Sequence, residues 1–418
     1  MAGHIQDRWY KTTINANGKE VRVRSDRYGI GLRYRARYVG PDGTEQSKSF
    51  ADRKKKLAEK WLTRIQADMD AGQYIDPKAG EITFGEYAVK WLGGLTTDLG
   101  SQEVVDRRIR LHAVPYLGSR PMGSFKPEHM RTWLNALKTA LPNATYRRAI
   151  YDSVSSLFNA AVDDGVIRSN PCHAQSVKPP EPDPRLITPW PESRVLAVRA
   201  GLPDRYAATV DAAGGGGLRQ GEVLGLDAEN IDFNTGWLHV RQQVKRVRGT
   251  LVFAPPKRRR LRDAPLSPVV ADALRLHMRR FPPVEVKLPW ETPEGPLVAR
   301  TLVFTSGVGN AIWRSYFDDY VWKPALASAG VIPLRKPGEK RYAAAPDDGM
   351  HALRHFYASV LLDGGESIKA LSVYLGHSDP GFTLRIYTHL MPSSEERTRK
   401  ALSAVFRRIN PEELPEAV

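Results

Sequence analysis

Six side chains in the second half of this 418-residue chain are of types that can handle a phosphate ester: Arg219, Lys257, His351, Arg354, His377 and Tyr387. The densest group lies in HALRHFYASVLLDGGESIKALSVYLGHSDPGFTLRIYTH, residues 351–389. His351 and Arg354 are three apart, so a helix would aim both at one anion. His377 follows a glycine at an expected helix end, and Tyr387 comes ten residues later. Arginine and histidine can surround a phosphate, and a tyrosine can attack it. Taken singly these residues are ordinary. A His-x-x-Arg pair arises by chance in a basic chain, a histidine at a helix end is more often a cap or a core residue, and a tyrosine is usually core.

Upstream, DAAGGGGLRQGEVLGLDAENID (211–232) begins with glycines that let backbone approach something closely. The lysine and hydroxyl residue of a P-loop are missing, so nucleotide cradling of that kind is excluded. Arg219 opens a helix there, and Glu222 three residues on can hold its guanidinium still. By itself that is a common surface ion pair. Lys257 stands after two prolines at a strand end, followed by Arg258, Arg259 and Arg260. A lysine at a hairpin tip can reach into a groove or hand a proton to a leaving oxygen, although most such runs are solvated turns.

Those side chains need a frame. Lys plus Arg outnumber Asp plus Glu by 62 to 46, a net charge of +16, which favours a polyanionic partner. The hydrophobic fraction of 41% supports packed cores, and the length implies two or three domains. One cysteine, Cys172, excludes an internal disulfide framework and a multi-cysteine zinc site. It fits a reducing cytoplasm. The first residues carry no apolar signal segment, and no run of about 18 apolar residues predicts a membrane span.

Residues 1–78 read as a small β-β-β-α unit. RYGIGLRYRARYV places Arg33, Arg35 and Arg37 at period two, on one strand face. Such a face is either a charge-protected edge or a phosphate-contacting sheet. Leu57, Trp61, Ile65 and Met69 mark a helix after it. Residues 81–176 carry apolar positions at three-and-four spacing and predict an all-α domain. Arg107, Arg108, Arg110, Arg147 and Arg148 would leave one side of it basic. VKPPEPDPRLITPWP (177–191) is a stiff proline-rich linker. Residues 192–408 predict a mainly α domain with a small antiparallel β-sheet at 236–266, and 409–418 an acidic tail.

The ordered set Arg, Lys, His-x-x-Arg, Gly-His, Tyr resembles the tyrosine recombinase family, the phage integrases in particular. GGGLRQGEVLGL looks like the first arginine motif, APPKRRRLRDAPL the lysine hairpin, and 351–389 the second motif through the nucleophile. The resemblance implies a tyrosine recombinase catalytic fold over 192–408, a core-site-binding domain over 81–176 and an arm-site-binding domain over 1–78. It implies Tyr387 as nucleophile, forming a 3′-phosphotyrosine. Arg219 and Arg354 would clamp the scissile phosphate, and His377 would hydrogen-bond it. Lys257 would protonate the leaving oxygen, since a lysine in a dry, arginine-rich site gives up its proton more readily. His351 would assist proton transfer at the tyrosine, and Glu222 would orient Arg219 or His351. Arg33, Arg35, Arg37, Arg107, Arg108, Arg147, Arg148, Arg258 and Arg259 would contact DNA. The phosphotyrosine conserves the ester's energy, so no cofactor and no metal are expected.

The function implied is integration and excision of mobile DNA through a Holliday junction. The partners implied are double-stranded DNA with core-type and arm-type sites, a homotetramer, and as accessories an excisionase or directionality factor and a host DNA-bending protein. No membrane partner is expected, and the setting is a bacterial cytoplasm, in association with the nucleoid. Two other readings stay open at this point: a nickase like a type IB topoisomerase, and a non-catalytic DNA-binding protein.

Overall fold

The structure, a computed structural model, describes residues 3–16, 18–41, 43–72, 74–76, 78–182, 188–377 and 379–387, with 399, 402, 403, 405 and 406 beyond them. The acidic tail lies outside the described residues, as do 183–187 of the proline-rich linker. The chain divides into two compact units, 1–183 and 184–418.

In the first unit, β1 (His4–Asp7), β4 (Tyr34–Val39) and β5 (Glu45–Phe50) form an antiparallel sheet in the order β1-β4-β5. The three-strand expectation omitted β2 (Tyr10–Ile14) and β3 (Glu20–Arg24), which pair as a separate hairpin. That hairpin buries almost nothing, so the short Val21/Val23 alternation of β3 marks no core face. Along β4, Tyr34, Ala36 and Tyr38 turn inward. They meet α1 (Lys55–Asp70), where Ala58 and Ile65 are buried, and Tyr38 sets its ring edge-on to Trp61. The expected stripe drifts: Leu57 is exposed, because a four-residue step overshoots the helical period of 3.6.

The helices that follow are α2 (Phe84–Gly93), α3 (Leu99–His112), α4 (Val114–Leu117), α5 (Pro127–Ala140) and α6 (Ala144–Asp163). Thr83 and Glu86 cap α2 reciprocally, which satisfies two of its orphan donors. Phe84, Ile109, Trp133, Ile150, Leu157 and Phe158 close a dry core between them.

The second unit opens with α7 (Glu192–Gly201), α8 (Asp204–Gly216) and α9 (Gln220–Leu224). Then come β6 (Ile231–Asp232), β7 (Trp237–Val240), β8 (Gln243–Val247), β9 (Thr250–Ala254) and β10 (Arg262–Pro265). The predicted single small sheet is in fact a β10-β7-β6 sheet plus a separate β8–β9 hairpin. After α10 (Pro268–Arg280), β11 (Val284–Pro289) and β12 (Leu297–Leu302) make another hairpin that the helical reading of this region missed. Next are α11 (Arg314–Phe317), a π-helical turn at Asp318–Trp322, and α12 (Lys323–Ser328). The unit continues through α13 (His351–Asp363), α14 (Ile368–Leu375) and α15 (Pro380–Tyr387). A large core joins α7–α10 to the sheets. A smaller cluster of Tyr357, Ala358, Leu362, Leu371, Leu375 and Tyr387 packs α13, α14 and α15 together. That cluster fixes where the last tyrosine sits.

Candidate active site

The glycine run ends α8. Gly217 takes the left-handed conformation (φ 64°), and a Cβ there would lie 2.7 Å from the ring of Tyr357. Only glycine fits both demands. Its carbonyl accepts from Arg354 Nη1 (2.6 Å) and Arg262 Nη2 (3.4 Å). The close approach expected of the glycines is therefore to the tyrosine of α13, and it presents a backbone oxygen to two arginines. Gly215 serves packing as well, with Val270 where its Cβ would be.

Arg219 begins α9 as its N-cap. Glu222, one turn on, accepts from Arg219 N (2.8 Å) and from its Nη1 (3.0 Å). The predicted pairing of Glu222 is thus with Arg219. Glu222 also binds a residue that the sequence reading passed over, Arg262 of β10, at 2.9 and 2.6 Å. Burial would raise the Glu222 pKa. The hydrogen bond from Arg262, with the charges of Arg262, Arg219 and Arg354, overrides it and brings the value down to about 2. The carboxylate is held ionised. Arg262 ties the cluster onward by donating Nε to Tyr374 O (2.8 Å).

Arg354 lies on α13 with 1% of its surface exposed. Besides Gly217 it donates Nη2 to Leu375 O and to His377 Nε2, the latter at 3.3 Å. Burial lowers its pKa to about 9, helped by the charges of Arg219 and Arg262. His377 follows Gly376, which ends α14 in the left-handed region. Its Nδ1 meets Thr383 Oγ1 at 2.7 Å. Since Nε2 accepts from Arg354, the neutral ring carries its proton on Nδ1 and donates it to Thr383. Burial, then the charges of Arg354, Arg219 and Arg262, push the His377 pKa down to about 4.

Tyr387 ends α15 and is 1% exposed. Burial raises its pKa to about 12, against the opposing pull of Arg354 and Arg219. Its hydroxyl is 2.7 Å from His355 Nδ1. His355 is the second residue missed from sequence. It stands four after His351, so the two share a helix face, and their rings meet edge-on at 4.7 Å. The ring against the tyrosine is therefore His355 and not His351, to which the sequence assigned proton transfer. His351 is open to solvent on its outer edge; desolvation of the rest, with the charges of His355, Arg354 and Arg219, lowers its pKa. His355 falls to about 4, through burial and then the charge of Arg354.

Lys257 is not enclosed. It is exposed on the connection between β9 and β10 and not at the tip of the β8–β9 hairpin. Among the described residues no hydrogen bond or ion pair links it to the cluster, so the dry surroundings expected for it are not formed. Arg258 and Arg259 beside it take left-handed backbone angles, and Arg259 is engaged by Glu291 (2.6 Å).

The arginines expected to meet DNA are mostly occupied. Arg33 bridges Asp7 and Asp52 (2.9 and 3.0 Å). Arg35 donates to Ser47, and Arg37 pairs with Glu45. Arg147 donates to the carbonyls of Leu141 and Pro142, and Arg148 pairs with Asp152. Arg107 is exposed, whereas Arg108 is half-buried with its Nε unpartnered. Among the described residues no cluster of His, Cys, Asp or Glu is arranged to hold a metal ion, and no helix is long and apolar enough to cross a membrane.

The phage integrase family model matches residues 198–394. A XerC-like tyrosine recombinase of Caldanaerobacter subterraneus subsp. tengcongensis is 30% identical over 274 residues, 62% of this chain and 66% of that one, just under two thirds of its length. The integrase of Mycobacterium phage D29 is 27% identical over 390 residues, 90% of this chain and 95% of that one. Among solved structures, the Tn1549 transposon integrase in complex with a circular intermediate DNA has the same fold, with a TM-score of 0.61 at 20% identity over 76% of this chain and 98% of that one. A lambda integrase tetramer bound to a Holliday junction reaches a TM-score of 0.53 at 14% identity, over 85% and 92%. The family match runs through Arg219, Arg262, Arg354, His377 and Tyr387 alike, and the chain belongs to the phage integrase family of tyrosine recombinases, whose members are site-specific DNA-cleaving and rejoining enzymes.

Proposed function

We propose that this chain integrates and excises mobile DNA by strand exchange, with Tyr387 as the nucleophile. The observation that carries the reading is one electrostatic assembly: Glu222 holds Arg219 and Arg262, Gly217 O binds Arg262 and Arg354, and Arg354 donates to His377. A phosphodiester is anionic with a poor leaving group, so attack needs charge neutralisation and positioning. Arg219, 24% exposed in its side chain, offers its remaining N–H groups to a non-bridging oxygen. Removing such a contact costs on the order of 10²–10³ in rate. Tyr387 displaces the 5′ oxygen and forms a 3′-phosphotyrosine, and a 5′ hydroxyl from another strand reverses the step through a Holliday junction. Lys257, on an exposed loop, closes on the leaving oxygen when DNA is bound.

In this reading 1–78 binds arm-type sites, 81–176 binds core-type sites, 177–191 links them to the catalytic 192–408, and the working form is a homotetramer on two duplexes in the bacterial cytoplasm. An excisionase and a DNA-bending protein would set direction. The similarity to the D29 integrase over 90% of the chain favours integration over simple relaxation. A nicked suicide substrate with the core site tests it. A covalent adduct that disappears in Tyr387→Phe, with recombinant junctions from intact sites, is the expected result. Absence of any adduct sinks the enzyme reading, and relaxation without junctions leaves a topoisomerase.

A further inference from the structure

Tyr387 presents a chemical difficulty that its neighbours resolve. A phenol buried to this degree keeps its proton, yet attack on phosphorus forms an O–P bond and must release that proton. The hydroxyl has an acceptor in hydrogen-bond contact, His355 Nδ1 at 2.7 Å. The phenol is the donor in this pair, because a neutral imidazole with Nδ1 accepting carries its own proton on Nε2. The rings lie 5.7 Å apart at 56°, so the contact is made edgewise through the nitrogen and not by stacking.

We infer that His355 is the group that takes the proton of Tyr387 during strand cleavage and returns it during rejoining. The Tyr387 O–H bond breaks and its proton goes to His355 Nδ1. The phenolic oxygen bonds to phosphorus, and the P–O5′ bond breaks with its electron pair on the leaving oxygen, which receives a proton from a separate acid. Rejoining runs the transfers in reverse. The inference rests on the reading of Tyr387 as nucleophile.

Three features suit His355 for this work. Its helix position is fixed beside Arg354, whose guanidinium is bonded to Gly217 O and His377. His351, one turn earlier, backs its ring edge-on. The groups acting on it from α13, α14 and α15 are His351, Arg354, His377 and Tyr387, and none is a carboxylate that would lock it as a cation. A neutral imidazole is thus available above about pH 4. A base of low pKa beside a phenol of high pKa transfers the proton in concert with attack and not before it.

The test measures single-turnover adduct formation on the suicide substrate, for wild type, His355→Asn and His355→Phe. Asparagine places an acceptor oxygen where Nδ1 was but cannot take the proton. Both variants are expected to lose about 10²-fold or more in rate, with core-site binding retained. Their rates should climb with pH as the phenol begins to ionise by itself, where the wild-type rate is flat. A substrate with sulfur in place of the bridging 5′ oxygen needs no acid; it should restore Lys257→Ala but not His355→Asn. Wild-type rate in His355→Asn overturns the inference, and so does a slow variant with the wild-type pH profile. Imidazole nitrogen NMR of the unaltered enzyme guards against variants that misfold: Nδ1 of His355 should be the unprotonated nitrogen, and a protonated Nδ1 overturns the assignment. Persistence of the adduct in Tyr387→Phe would instead mean that the nucleophile reading has failed.

Discussion

Arg262 and Glu222 meet through two hydrogen bonds of 2.9 and 2.6 Å, with only 2% and 1% of their side chains exposed. A pair so deeply placed is stable only while both members are present. Arg262→Met should therefore lower unfolding stability by up to about 3–5 kcal/mol, since it leaves a buried carboxylate with Arg219 as its one remaining described partner. Lysine should rescue little, because it cannot span both oxygens. Urea unfolding of the three proteins measures this, and an unchanged midpoint in the methionine variant would count against the pair.

Gly217 offers a second stability test. Gly217→Ala puts a Cβ into the Tyr357 ring and into left-handed backbone. The expected loss is about 1–3 kcal/mol. Gly330→Ala, at φ 68° with open space where its Cβ would be, separates backbone strain from the clash: it should cost less.

Thr383 accepts the Nδ1 proton of His377 and so sets which nitrogen faces Arg354. In Thr383→Val the ring loses that constraint. Adduct formation should slow about tenfold, the value of one hydrogen bond near 1.4 kcal/mol, while Thr383→Ser should stay near wild type. Equal rates for valine and serine would refute the orienting role.

Acid should unfold the catalytic unit in two stages. His355 and His377 have folded-state pKa values of about 4, below the ordinary 6.5. Between those values the unfolded chain binds more protons, so stability present above pH 6.5 is lost as pH falls toward 4. Glu222, lowered from 4.5 to about 2, extends the loss downward in the same direction. Calorimetry at pH 7.5 and 5 should show the lower melting temperature at pH 5. His377→Phe should narrow that gap, and a gap of the same size would show that the ring does not contribute.

Arg33 and Arg35 should separate structure from binding in the first unit. Arg33→Ala breaks bonds to Asp7 and Asp52 and should lower the melting temperature of the fragment that carries the sheet. Among the described residues, Arg35→Ala gives up only its hydrogen bonds to Ser47. It should leave melting unchanged while weakening arm-type DNA binding by electrophoretic shift; a melting loss as large as that of Arg33→Ala would contradict the distinction.

The sequence was most readable where chemistry and period coincide. His351 and Arg354 fall on the helix that their spacing predicts, His377 lies just past a helix end as expected, and Glu222 holds Arg219 as its spacing implied. The residues it hid were those whose meaning comes from tertiary contact. Arg262 looked like one more member of a basic run, and only burial against Glu222 distinguishes it. His355 is adjacent to Arg354 and therefore about 100° round the helix, outside an i,i+3 reading. The i,i+4 relation to His351 was the available signal. Arg33, Arg35 and Arg37 share a face as predicted, but no strand periodicity shows that Asp7, Asp52 and Glu45 come from other segments to neutralise it. The β2–β3 and β11–β12 hairpins were missed for a related reason: β3 (EVRVR) and β11 (VEVKLP) do alternate, but their strands are short and bury few side chains.

Arg354 is nearly sealed from water, and its basicity is depressed by burial and by its two fellow arginines. Arg219, Arg262 and Arg354 thus set three guanidinium charges around the single carboxylate of Glu222. In the proposed reading, a scissile phosphate supplies a further counter-ion to that network. Part of the affinity for such an anion is relief of repulsion built in during folding, and the anion in turn steadies the fold by binding only the native state. The catalytic unit should be softest when idle and firmest when a scissile phosphate completes its charge balance.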